Sequence, residues 1–105
     1  MKTVAIVLAL AGLVTAGAAR ADATEDLLKK SGCVACHAVD RKIVGPAFVE
    51  VAAKYRGDPG AAARLEAKVK AGGDGVWGPV PMPPNSFVSD ADIKLLVAYV
   101  LALKK

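Results

Sequence analysis

Cys33-Val34-Ala35-Cys36-His37 gathers both cysteines and the only histidine of the 105-residue chain into five consecutive positions. On a helical turn, side chains three and four positions apart share a face, so Cys33, Cys36 and His37 can all reach one flat ligand. Cys-x-x-Cys-His is the attachment pattern of a c-type haem. The two thiols suit the two vinyl groups of a haem, and the adjacent imidazole can bind its iron. The stretch therefore predicts one covalently attached haem c.

Three other kinds of site also use closely spaced cysteines. A thioredoxin-like redox motif needs a strand-helix-strand setting, and no stretch of the chain has a strand pattern. Structural zinc usually takes four nitrogen or sulfur ligands, whereas the chain offers two cysteines and one histidine. A plain disulfide suits an exported protein but leaves His37 unexplained. Haem attachment uses all three residues, and a haem-free thiol or metal module is the alternative.

Residues 1–21 have the pattern of a cleavable secretory signal peptide. Lys2 provides the positive start, an apolar run covers residues 4–19, and Ala19-Arg20-Ala21 has the small-x-small form of a cleavage site. The apolar run of 16 residues is shorter than the roughly 20 that span a bilayer. We therefore predict a signal peptide rather than a membrane anchor.

Cleavage after Ala21, or after Ala23 as a second possible site, leaves one domain at residues 22–105 in the periplasm, without a membrane span. The basic count then falls from 14 to 12 against 10 acidic residues, a net charge of +2. The basic residues are scattered and lack interleaved aromatic residues, which argues against nucleic acid. Lys29-Lys30 and Arg41-Lys42 flank the haem motif, where they can guide an acidic redox partner or simply be solvated.

Helical spacing and capping signals predict an all-α domain of about four short helices, and no strand is needed. The predicted helices cover residues 24–30, 46–55, 58–71 and 89 to the C-terminus. Pro46 and Pro59 suit the first helical turn, and Ser89 with Asp92 forms a capping box. The last helix carries an apolar stripe at helical spacing, which can pack across the first helix and comprises Ile93, Leu96, Val97, Val100 and Leu101.

Met82 is the only methionine after Met1, and it lies in the stiff, proline-rich stretch of residues 76–85. A lone methionine often fills a core. A haem iron held by His37 has a free sixth position, however, and the prolines on both sides of Met82 limit how far its thioether can move. We therefore predict His37 and Met82 as the two metal ligands. An iron with all six ligand positions filled indicates a one-electron relay rather than an enzyme. The alternative is an enzyme or gas sensor with a five-coordinate haem.

Three motifs, at residues 32–38 (GCVACHA), 44–47 (VGPA) and 76–85 (VWGPVPMPPN), occur together in this order. In these motifs the chain resembles the small bacterial class I cytochromes c, in particular the short monohaem group that donates electrons to periplasmic nitrite reductases and terminal oxidases. The similarity covers nearly all of residues 22–105. It implies a class I cytochrome c fold, in which about four short helices surround one haem, and no catalytic residues.

The resemblance also implies a set of haem-binding residues, which comprises Cys33, Cys36, His37, Met82, Pro46, Trp77 and Asn85. Pro46 would accept the ring N–H of His37 through its carbonyl. Trp77 would donate its indole N–H to a haem propionate, although an apolar wedge is an alternative role. Asn85 would hydrogen-bond near the Met82 sulfur, and it also suits a turn.

Redox proteins are the partners that the resemblance implies. The donor would be a respiratory protein such as a cytochrome complex, and the acceptor a nitrite reductase, peroxidase or terminal oxidase of respiration or denitrification. The protein would act as a monomer. Leu28 and Tyr99 depart from the resemblance, because relatives commonly carry an aromatic residue and a tryptophan there, so the crossing of the first and last helices is expected to pack differently.

Overall fold

The computed structural model describes residues 16–104 of the chain. Four helices make up this part, α1 (Ala16–Lys30), α2 (Phe48–Lys54), α3 (Ala61–Ala71) and α4 (Asp90–Leu101), and a short 3₁₀ turn, Cys33–Ala35, follows α1. Only two isolated antiparallel bridges, and no strand, occur within residues 16–104. The predicted all-α fold of four short helices is therefore confirmed. No helix in the described range is long and apolar enough to cross a membrane.

Helix α4 is the centre of the fold, because it contacts each of the other three helices. Its apolar stripe faces inward, as the spacing predicts, and the buried members are Ile93, Leu96, Val97 and Val100. They share a core with Leu28 of α1 and with Phe48 and Val51 of α2. The predicted packing of the last helix on the first is confirmed, and the central position of α4 lets it support both sides of the cavity described below.

The start of α4 is fixed by side chains on both sides of its first turn. The hydroxyl of Ser89 accepts the backbone N–H of Asp92 at 3.2 Å, which is the capping contact predicted from the sequence. Val88 before the cap and Ile93 in the first turn are both buried in the same core, which fixes the direction from which the chain enters the helix. Lys70 of α3 donates to the carbonyl of Val88 at 2.7 Å. These contacts hold α3 and α4 together.

Helix α1 begins at Ala16, several residues before the predicted start near residue 24. Alanine has the highest helix propensity of all residues, and the segment before Thr24 is rich in it. Residues 16–21 of the predicted signal peptide therefore belong to this helix in the uncleaved chain. Residues 1–15 lie outside the described residues, and the cleavage itself stays a prediction.

The predicted starts of α2 and α3 are too early, because neither Pro46 nor Pro59 lies in the helix that follows it. Ala47, which precedes α2, has the extended ψ of 140° that is typical of a residue just outside a helix. Asp58 accepts the backbone N–H of Gly60 at 3.0 Å, so its carboxylate closes a local turn instead of capping the helix. Both prolines thus belong to the turns that lead into the helices.

Candidate functional site

A cavity of about 290 Å³ lies between the helices and the loop that joins α3 to α4. Six of the seven predicted site residues line it, namely Cys33, Cys36, His37, Pro46, Trp77 and Met82. Most of the remaining wall is apolar and includes Phe48, Leu65 and Val97. Asn85 does not line the cavity. The fold therefore brings the sulfur and nitrogen atoms of two distant segments around one apolar space, which is the environment that a haem requires.

The imidazole of His37 is held on two sides. Its Nδ1 atom lies 2.8 Å from the carbonyl oxygen of Pro46. A carbonyl only accepts, so Nδ1 carries the proton and Nε2 keeps its lone pair free for a metal. The ring also stacks on Phe48, with 4.9 Å between the centroids and an angle of 18° between the planes. The contact with Pro46 is the one that the family resemblance implies.

Gly45 lies against the same imidazole. A Cβ atom at position 45 would be 2.5 Å from Cε1 of His37 and 2.9 Å from each ring nitrogen, which is too close for any side chain. The loop is kept there because the backbone N–H groups of Val44 and Gly45 both donate to the carbonyl of Cys36, at 3.2 and 2.7 Å. The motif at residues 44–47 includes Gly45 but does not indicate its contact with His37.

The two cysteines lie on the tight turn that follows α1. Gly32 has a left-handed φ of 79° and lies between the end of α1 and this turn. The carbonyl of Cys33 accepts the N–H groups of Cys36 and His37 at 3.3 and 3.0 Å. Both thiols are free and half-buried. Burial raises the pKa of the Cys33 thiol, although a backbone hydrogen bond acts in the opposite direction. The turn thus leaves both sulfurs available to a group in the cavity.

Met82 is anchored through its backbone to the end of α3. Its N–H donates to the carbonyl of Gly73 at 2.8 Å, and the N–H of Gly73 donates back to the carbonyl of Met82 at 3.0 Å. Gly72 makes this approach possible, because a Cβ there would lie 2.5 Å from the Met82 carbonyl oxygen, and its φ of +73° is left-handed. Consecutive glycines after a helix are typical of a turn, and they do not by themselves indicate the contact with Met82.

Asn85 supports the far end of the loop that carries Met82. Its side-chain amide donates to the carbonyls of Val69 and Pro83, at 3.1 and 3.3 Å, and its backbone N–H also donates to Val69 at 3.1 Å. These bonds fasten the loop to α3. A hydrogen bond between Asn85 and the sulfur of Met82 stays a prediction.

Trp77 forms an outer part of the cavity wall and is 43% exposed. The ammonium of Lys54 lies 5.5 Å from the centroid of its ring and 5.9 Å from that of Tyr55. Lys42 and Lys68 also line the cavity, so positive charge is present at an otherwise apolar wall. Such a wall suits a ligand with an apolar body and acidic groups at its edge.

The model of the cytochrome c family matches residues 21–104. The chain belongs to the cytochrome c family. It is 53% identical over 96 residues to cytochrome c-552 of Nitrosomonas europaea, a match that covers 91% of each chain. It is 50% identical over 105 residues to cytochrome c-551 of Pseudomonas aeruginosa, with 99% of this chain and 100% of that protein covered. The crystal structure of wild-type Nitrosomonas europaea cytochrome c552 superposes with a TM-score of 0.74 and 54% identity, over 76% of this chain and 99% of the other.

These matches confirm the resemblance to the small class I monohaem cytochromes c and the all-α class I cytochrome c fold. The cofactor of this cytochrome c is therefore a covalently attached haem c, with iron, and its general function is electron transport. The residues present fit the cofactor. Two free thiols, one imidazole that is hydrogen-bonded through Nδ1 and one thioether line the apolar cavity.

Proposed function

We propose that this cytochrome c is a periplasmic one-electron carrier in which His37 and Met82 are the axial ligands of the haem iron. The supporting observation is that one cavity is lined by Cys33, Cys36, His37 and Met82 together. The haem supplies the ferric/ferrous couple, which accepts and returns one electron. The protein holds the haem, excludes water from it and sets its reduction potential.

Five of the seven predicted residues have separate parts in this proposal. Cys33 and Cys36 would form the two thioether bonds, and Nε2 of His37 would bind the iron. The hydrogen bond from Nδ1 to Pro46 fixes the plane of the imidazole and increases its basicity. The paired hydrogen bonds to Gly73 keep the backbone of Met82 beside the cavity. The sulfur ligand thus depends on a tertiary contact and not only on the adjacent prolines.

The wall of the cavity favours a carrier over an enzyme or gas sensor. Enzymes and gas sensors with an open haem often use a second histidine or an arginine above the iron. His37 is the only histidine of the chain, and none of the described residues that line the cavity is an arginine. With Met82 as the sixth ligand, the iron would have no position left for a substrate. We therefore propose that the protein has no enzymatic activity.

The signal-like residues 1–21 support a periplasmic location, and the net charge of +2 in residues 22–105 supports acidic redox partners. Lys42 and Lys68 place positive charge beside the cavity, where an electron would enter or leave. The proposed donor is a respiratory cytochrome complex, and the proposed acceptor is a nitrite reductase, peroxidase or terminal oxidase. Transient encounters of this kind suit a monomer.

Absorption spectra of the oxidised and reduced protein test the proposal. We expect haem that stays attached after denaturation, reversible one-electron cycling and a weak far-red band from the sulfur–iron contact in the oxidised protein. Met82→Ala should lose that band and bind added imidazole readily, with the haem still attached. Ser86→Ala, an exposed change in the same loop, should behave like the wild type. A wild-type protein that lacks the band and binds imidazole readily would rule out Met82 as a ligand.

A further inference from the structure

The ammonium group of Lys54 contacts two of the aromatic rings that line the haem cavity. Lys54, the last residue of α2, places its ammonium 5.9 Å from the ring centroid of Tyr55 and 5.5 Å from that of Trp77. Both rings line the cavity, whereas Lys54 does not. Lys54 therefore contacts the rings from outside the cavity and links α2 to the loop that carries Trp77.

The segment around Trp77 is largely exposed. Its flanking residues Val76 and Val80 are 50% and 62% exposed, so their packing fixes little. The hydrogen bond from Gly75 N–H to the carbonyl of Gly78, at 2.9 Å, closes the segment on itself and does not join it to a helix. The contact with Lys54 therefore joins the Trp77 ring to a helix, α2.

We propose that Lys54 is a positioning residue for Trp77. A cation binds the electron-rich face of an indole, and the N–H group lies on the ring edge and stays free to donate. By holding the face of Trp77 against the end of α2, Lys54 fixes the direction of the indole N–H. This inference rests on the proposed function and on the role that the family resemblance implies for Trp77, in which that N–H would donate to a propionate of the haem. A hydrogen bond there offsets negative charge near the iron and raises the reduction potential.

A double-mutant cycle on the reduction potential separates positioning from a simple charge effect. Lys54→Gln should lower the potential of the holoprotein, and Lys54→Arg, which keeps the cation, should restore it. In a Trp77→Phe background the ring face remains but the N–H is gone, so Lys54→Gln should then have little effect. Equal shifts in both backgrounds would show that Lys54 acts only as a distant charge, and no shift in either would equally overturn the proposal.

The exchange rate of the indole proton provides a second measurement that does not depend on the sixth ligand. Trp77 is the only tryptophan of the chain, so its N–H gives a unique signal in the NMR spectrum of the reduced holoprotein. Loss of an exposed cation–π contact should speed exchange about two- to fivefold in Lys54→Gln. Lys94→Gln, an exposed lysine of α4, is the matched control and should leave the rate unchanged. Equal rates in the two variants would refute the proposal.

The two proposals fail in different ways. A wild-type protein without the far-red band would refute ligation by Met82, and the exchange rates would still decide the role of Lys54. If the far-red band is present but the exchange rate of the Trp77 indole proton is unchanged in Lys54→Gln, only the positioning role of Lys54 is refuted.

Discussion

Replacement of Gly45 by alanine should displace the imidazole of His37. The new Cβ would lie 2.5 Å from Cε1 and 2.9 Å from both ring nitrogens. Because carbon atoms normally approach to roughly 3.5 Å, the ring must retreat by about 1 Å. A shift of that size stretches the 2.8 Å hydrogen bond to Pro46 beyond its normal range and disturbs the stack on Phe48.

The size of the effect follows from the two contacts that are lost. The net contribution of the hydrogen bond to Pro46 is about 0.5–1.5 kcal/mol, and the stack on Phe48 contributes about 0.5–1.5 kcal/mol. The free energy of unfolding of Gly45→Ala should therefore fall by about 1–3 kcal/mol. The proposed bond from His37 to the iron should also weaken, because the ring plane is no longer fixed, and the reduction potential should change.

Guanidinium unfolding of the oxidised holoprotein, together with its absorption spectrum and potential, provides the assay. Gly57→Ala is the matched control, because nothing lies within 4 Å of an added Cβ there and the φ is +80°. It should cost about 1–2 kcal/mol through the left-handed backbone alone and leave the haem spectrum unchanged. The reasoning fails if Gly45→Ala stays within about 0.5 kcal/mol of the wild type with an unaltered haem spectrum.

Two further changes test other parts of the fold. Gly72→Ala forces the carbonyl of Met82 away from α3. We therefore expect the oxidised protein to lose its far-red band while the haem stays attached. A far-red band as strong as that of Gly57→Ala would contradict this expectation. Burial and the hydrogen bond to Glu25 raise the pKa of Tyr99 above 10.0, so the folded protein holds the proton more tightly and the free energy of unfolding falls as pH rises through the folded pKa. Tyr99→Phe should flatten this decline in unfolding experiments above pH 10, and equal slopes in the two proteins would contradict the assignment.

The parts of the fold that the sequence predicted well depend on local spacing. The stripe from Ile93 to Val100 has an unbroken helical period, and Ser89 marks its start, so α4 follows from neighbouring residues alone. The turn from Cys33 to His37 is equally local, and its side chains share a face by geometry. Met82 was predicted as a ligand of the haem iron because the prolines on both sides limit how far its thioether can move. The structure places it in the cavity wall, and its bond to the iron stays a prediction.

The parts that could not be predicted depend on contacts between distant segments. Gly45 and Gly72 have the sequence signature of turn residues, but the structure needs them because a carbonyl or an imidazole approaches their backbone. No local pattern shows such an approach. The start of α2 was misplaced for a related reason: Pro46 is compatible with a first helical turn, yet its carbonyl is used to hold His37. Helix propensity depends on neighbouring residues and does not show the contact between Pro46 and His37.

The paired hydrogen bonds between Gly73 and Met82 also bear on competition for the proposed sixth ligand position. If the sulfur–iron contact breaks, the thioether remains tethered close to the iron. A short flexible tether gives an effective concentration in the millimolar range, and a stiffer one that holds the right distance gives more. A small metabolite present at micromolar levels, with an affinity for the iron similar to that of the thioether, would therefore lose the competition. If Met82 is the sixth ligand as proposed, the anchored loop would thus protect the carrier from inhibition by such free ligands.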